Sequence, residues 1–166
     1  MCQKFGPFDI DVRTLENCGQ STYGDGIVFT PHFKKYNRSV FVVTCPVHMP
    51  YDLDDTMECV VDMAVFTNGG WKENFYTQKF YNLCTTMKQF AGNLMKSMLK
   101  TAGLKTECPV LKGNYTVKDW PMALNVDVIP AFYYNRYKWR VKIYKSNRMV
   151  GCLRSLVDVI PKKKRP

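Results

Sequence analysis

Apolar residues along the chain fall into several short alternating runs and one long run with a different period. The first strand signal is "GIVFTPHF", residues 26–33, followed by "RSVFVVTCPVHM", residues 38–49. The second run is apolar on both faces, the pattern of a strand covered on both sides. Pro46 cannot donate to a ladder, so a bulge or a sheet edge is expected there. "PYDLDD", residues 50–55, reads as a turn, and "MECVVDMAVF", residues 57–66, as the returning strand. "TNGG", residues 67–70, carries an Asn-Gly turn signal.

Residues 78–101 change period. Phe80, Leu83, Met87, Phe90, Leu94 and Met98 recur at steps of three and four, which makes one apolar stripe on an amphipathic helix. Gly103 is placed to end it. The simplest role for such a stripe is to cover a core. Its methionines also suit an apolar cavity that takes varied shapes, because Met is flexible and polarisable. Alternation then returns in "YKWRVKIY", residues 137–144. Tyr137, Trp139, Val141 and Ile143 share one face, and Lys138, Arg140 and Lys142 the other. "SNR", residues 146–148, turns this strand into "MVGCLRSLVDVI", residues 149–160. Strands joined by short turns, with one helix, predict a mainly β fold: an antiparallel β-cup or sandwich with one amphipathic helical segment. Residues 1–160 form a single domain on this reading, and "PKKKRP", residues 161–166, a basic tail.

Charge is uneven. Residues 1–111 hold 11 Lys and Arg against 11 Asp and Glu, while residues 112–166 hold 13 against 3. The whole net charge of +10 therefore sits in the last third. That asymmetry points to an anionic partner, whether a membrane surface, a sulfated polymer or nucleic acid. The seven cysteines, Cys2, Cys18, Cys45, Cys59, Cys84, Cys108 and Cys152, never stand closer than 14 positions apart. Zinc and redox motifs need closer pairs, so the spacing favours a disulfide framework over buried free thiols, and hence an oxidising compartment. Sequons at Asn37 and Asn114 agree with secretion and mark both as candidate glycosylation sites. The chain is accordingly expected to be a mature secreted one. The "KKKR" run would suit a nuclear import signal; the cysteines and sequons argue against that compartment and against a nucleic-acid partner.

No motif for catalysis stands out. His32 and His48 lack a neighbouring nucleophile or carboxylate pattern, and no glycine-rich phosphate loop is present. Asp52, Asp54 and Asp55 form an acidic cluster without EF-hand spacing, as consistent with an exposed turn as with Ca²⁺. The expectation is a non-enzyme with no cofactor and no metal.

"CPVLKGNY" followed by "DVIPAFYYNRYKWRVKIYKSNRMVGC" resembles the ganglioside-activator branch of the ML-like lipid-recognition proteins, including divergent secreted arthropod relatives linked to chemosensory roles. The elements are Cys108-Pro109, Lys112-Gly113-Asn114-Tyr115, Val128-Ile129-Pro130, Tyr137-Lys138-Trp139, Asn147-Arg148 and Gly151-Cys152. The likeness covers about residues 108–160 and is weaker ahead of them. It implies a β-cup that carries a lipid in an apolar cavity, outside the cell or in the lysosomal lumen. It also implies Cys18–Cys152 and Cys84–Cys108 bridges. The family's close cysteine pair in the helical region is absent; Cys45 and Cys59, on facing strands of the expected hairpin, are expected to pair instead. Cys2 is left over, free to bridge a second copy.

The resulting expectation is a secreted carrier of a lipid or similar hydrophobic molecule. Phe90, Leu94, Met98, Trp139 and Val141 would line its cavity. Lys138, Arg140, Lys142 and Arg148 would meet an anionic membrane surface. The competing expectation is a secreted oligomeric component with a closed core and no transported ligand.

Overall fold

In the computed structural model the described residues are 4–18, 26–38, 41–101, 103, 107–124 and 129–163. Cys2 lies outside them, and so do the side chains of Phe90, Leu94 and Met98. The chain forms β1 (Phe5–Gly6), β2 (Phe8–Asn17), β3 (Val28–Phe29), β4 (His32–Lys35), β5 (Phe41–Met49), β6 (Met57–Thr67) and β7 (Gly70–Phe80). Next come α1 (Leu83–Thr101), β8 (Gly113–Trp120), β9 (Ala123–Leu124), β10 (Phe132–Tyr133), β11 (Asn135–Lys145) and β12 (Arg148–Pro161). β7-β6-β11-β12-β2-β9 make a six-stranded sheet. β3, β4 and β8 pair with β5 in a four-stranded sheet, and β1 pairs with β10. Every pair is antiparallel, and the two larger sheets face each other as a sandwich.

Turn chemistry explains the long hairpins. Ser146 and Asn147 both have positive φ, 51° and 61°, the geometry of a two-residue turn that matches strand twist. β6 and β7 meet through Asn68-Gly69. β11 alternates as expected, with Tyr137 fully buried between exposed Arg136 and Lys138.

Of the two outcomes expected at Pro46, the irregularity is found and the edge is not: β5 is a central strand, and Pro46 lies level with the gap between β3 and β4, beside a register shift near Val43 and Cys45. There its carbonyl accepts from Thr30 N at 3.0 Å. Two expectations change. The helix begins at Leu83, because residues 78–80 finish β7. The second change concerns residues 38–49 and 57–66, which form no hairpin. β5 belongs to one sheet and β6 to the other, and residues 50–56 cross between them. The expected Cys45–Cys59 bridge is therefore not made. Both thiols are free and buried, Cys45 in one apolar cluster and Cys59 in the other. Cys18 is bonded to Cys152 and Cys84 to Cys108.

The acidic turn is structural. Asp52 accepts from Lys112 N at 2.7 Å, Asp54 from Thr56 N at 3.0 Å, and Asp55 from Thr85 N at 2.8 Å. α1 has no acidic residue in its own first turn. Asp55 supplies one from the crossing loop, where an anion is favourable to the helix dipole. The tail starts tied down, with Lys163 N donating to Asp9 and Lys163 Nζ 3.6 Å from Asp11.

Candidate functional site

Two buried apolar clusters occupy the space between the sheets. One gathers Ile10, Val12, Val43, Val65, Trp120, Tyr137 and Val157. Tyr137 donates its hydroxyl to Tyr133 O at 2.9 Å, and burial pushes its pKa up to about 12. The other cluster joins α1 to the sheets: Leu83 and Cys84 pack with Leu53, Met57, Cys59 and Val110. Met87 and Leu99 of the helix pack against it, partly buried.

The inner face of β11 runs from one cluster to the other. Tyr137 is fully buried, but Trp139, Val141 and Ile143 are only half-buried although they point between the sheets. Val61 of β6, Phe29 of β3 and Val47 of β5 are half-buried in the same interior. These inward side chains are thus only partly covered, unlike Tyr137. Trp139 Nε1 is buried without a hydrogen-bond partner among the described residues, and its side chain borders an apolar cavity of about 50 Å³ with Phe8, Ile10, Ile129, Phe132 and Val159. Of the residues expected at the cavity, the structure brings Trp139 and Val141 to this inner face. Phe90, Leu94 and Met98 lie outside the described side chains.

The opposite face of the six-stranded sheet is mixed in charge rather than uniformly basic. Lys142 pairs with Asp62 at 3.4 Å, Lys138 with Glu73 at 3.9 Å, and Arg154 with Glu16 at 2.8 Å. Arg148 starts β12 at the far turn, away from Lys138 and Arg140. The four expected contact residues therefore do not form one patch. Lys138 and Arg140 instead line a groove of about 500 Å³ with Trp71, Glu16 and Arg154. Lys138 Nζ lies 4.2 Å from the centre of the Trp71 ring, a cation–π contact. Arg154 is legible from the hairpin: the register pairs it with Arg140.

Asn37 and Asn114 are both exposed. Asn114 Oδ1 lies 2.6 Å from His48 Nδ1 across β8 and β5.

A family model described as a protein of unknown function (DUF1091) matches residues 57–138. Over that stretch, from β6 through α1 to the start of β11, the chain is similar to that family. No curated protein matches the chain.

Proposed function

We propose that this protein is a non-catalytic, extracellular carrier that holds a lipid or lipid-like molecule in the apolar space between its two sheets. The observation that carries the reading is the half-buried state of Trp139, Val141 and Val61 on inward faces. Inward apolar side chains in a closed core are normally covered. Partly covered ones between two packed clusters support a place where the sheets part to admit an acyl chain, starting from the small cavity beside Trp139. Each buried methylene contributes about 0.8 kcal/mol, so a long chain is held without a polar motif. Two disulfides support an oxidising compartment. The resemblance of residues 108–160 to ganglioside-activator-like proteins adds the β-cup carrier as a precedent.

The test is native mass spectrometry of the glycosylated chain from a secretory host, with titration of a fluorescent fatty acid. A co-purifying lipid and saturable uptake are expected. Val141→Trp should fill the space and reduce uptake at least tenfold while the melting temperature holds. Absence of both lipid and saturable uptake would refute the carrier.

A further inference from the structure

One cation in the middle row of the six-stranded sheet is left without a partner among the described residues. The register places Glu16, Arg154, Arg140 and Asp62 side by side on β2, β12, β11 and β6. Glu16 is engaged by Arg154 at 2.8 Å, and Asp62 by Lys142 at 3.4 Å and by the Thr77 hydroxyl at 3.0 Å. One row along, Glu73 is engaged by Lys138. Arg140 stands among these groups with no hydrogen bond or ion pair to any described residue. Its direct cross-strand neighbours are a second guanidinium, Arg154, on β12 and the Asp62 carboxylate on β6. Both neighbours are already engaged elsewhere, Arg154 by Glu16 and Asp62 by Lys142, so Arg140 is the cation left over, and it lines a concavity of about 500 Å³. Sites for small ligands fall in the range of roughly 300–1,000 Å³.

We propose that this groove is a second binding site, separate from the inner apolar space, for a small polar ligand bearing one oxyanion: a carboxylate, sulfate or phosphate. Arg140 receives the oxyanion through its planar fork of donors, which matches two oxygens at once. Arg154 stands beside it on β12, already paired with Glu16, so the anion supplies the partner that Arg140 lacks. Trp71, held under Lys138, offers a flat wall for the body of the ligand, and Thr14 lines the groove with a hydroxyl. A planar bilayer is a poorer fit, because the charges around Arg140 are already neutralised and the unpaired one lies within a concavity.

The experiment is titration of the full chain with sodium sulfate, phosphate, acetate and glucuronate at constant ionic strength, followed by tryptophan fluorescence and melting temperature. A parallel arm uses phosphatidylserine-containing and neutral vesicles. A saturable response to at least one free anion is expected. Arg140→Ala should weaken it about tenfold or more, the loss of a charged hydrogen-bond partner, while Arg140→Lys should recover part of it. Lys118→Ala, on the other sheet, should leave it unchanged. The melting temperature of Arg140→Ala without anion should stay close to the parent's, which separates loss of binding from loss of folding. Val141→Trp should leave the anion response intact, so this site and the inner one stand or fall separately. A non-saturable response, or equal midpoints for the parent and Arg140→Ala, would overturn the proposal. So would vesicle binding that depends on Arg140 with no response to free anions, which would assign the groove to a membrane.

Discussion

Arg136 Nε donates to Asp158 Oδ1 at 2.7 Å across the last hairpin, and Arg13 Nε reaches Oδ2 of the same carboxylate at 2.8 Å. Asp158 is the outward residue between buried Val157 and Val159, and its side chain is only 13% exposed. The carboxylate is thus held by one donor from β2 and one from β11, which joins three strands at one point. Burial raises its pKa, but the two guanidinium hydrogen bonds and charges outweigh burial and leave it below the ordinary value. A lowered folded-state pKa means stability that is fully present above the ordinary carboxylate range and lost as pH falls through the lowered value. Asp158→Asn should lose about 1–3 kcal/mol at pH 7, the scale of hydrogen bonds to a charged group. Its unfolding should also depend less on pH below about 4. Urea unfolding at pH 7 and pH 3 measures both; a variant with the parent's acid sensitivity would contradict the assignment.

Cys45 and Cys59 should behave as protected thiols. Burial pushes the Cys59 thiol up to about 11 and raises that of Cys45 as well, and the reactive species is the thiolate. Alkylation at pH 8 should leave both unmodified in the native protein and label both in denaturant. Peptide mapping reads this directly. A peptide linking Cys45 to Cys59 would mean that the strands are arranged differently.

The two bridges should differ in what they hold. Cys18–Cys152 spans 134 residues and ties the end of β2 to β12, whereas Cys84–Cys108 spans 24 and ties the start of α1 to the chain beyond it. The loop-entropy relation gives roughly 5 kcal/mol for the first and 3.5 kcal/mol for the second. Cys18→Ser with Cys152→Ser should therefore lower overall stability more than Cys84→Ser with Cys108→Ser. The second pair should act mainly on hydrogen-exchange protection in α1. Equal losses in both, spread over the whole chain, would argue against a locally tethered helix.

Strands were legible where their two faces meet different surroundings. β11 shows this best, since Tyr137 and Trp139 face the interior and Lys138 and Arg140 face water. β2 opens with the same alternation, Phe8, Ile10 and Val12 against Asp9, Asp11 and Arg13, but the run is short and the expected strands do not include it. The register of β2 against β12 shifts near Arg13, so inward Val12 and Leu15 stand three apart instead of two. β7 is an edge strand whose residues are mostly exposed, so burial selects no apolar face in it. The Cys45–Cys59 expectation failed for a different reason. A seven-residue connection serves a hairpin or a crossing between sheets equally well, and the neighbours of β6 decide which forms. The outer groove was half visible. Lys138 and Arg140 follow from alternation, whereas Trp71 needs the β6–β7 pairing, which comes from tertiary structure.

The cap on α1 yields a last prediction. Thr85 donates its backbone N–H to Asp55 Oδ1, and its hydroxyl donates to Oδ2. These bonds hold the Asp55 carboxyl below its ordinary pKa. The first turn of a helix has amides without internal partners, and here a carboxylate from the crossing loop satisfies one of them. Asp55→Ala removes both the acceptor and the charge, while Cys84–Cys108 still tethers the helix start. The expected result is local: faster amide exchange at Thr85 and its neighbours, with only a small fall in melting temperature. The sign with pH follows from the lowered pKa, so the parent should lose this protection as pH falls through the folded value and the variant should lack it at every pH. If α1 covers the opening between the sheets, the variant should also exchange a bound fluorescent fatty acid faster. Unchanged exchange at Thr85 would show that the bridge and the Leu83 packing fix the helix start without the cap.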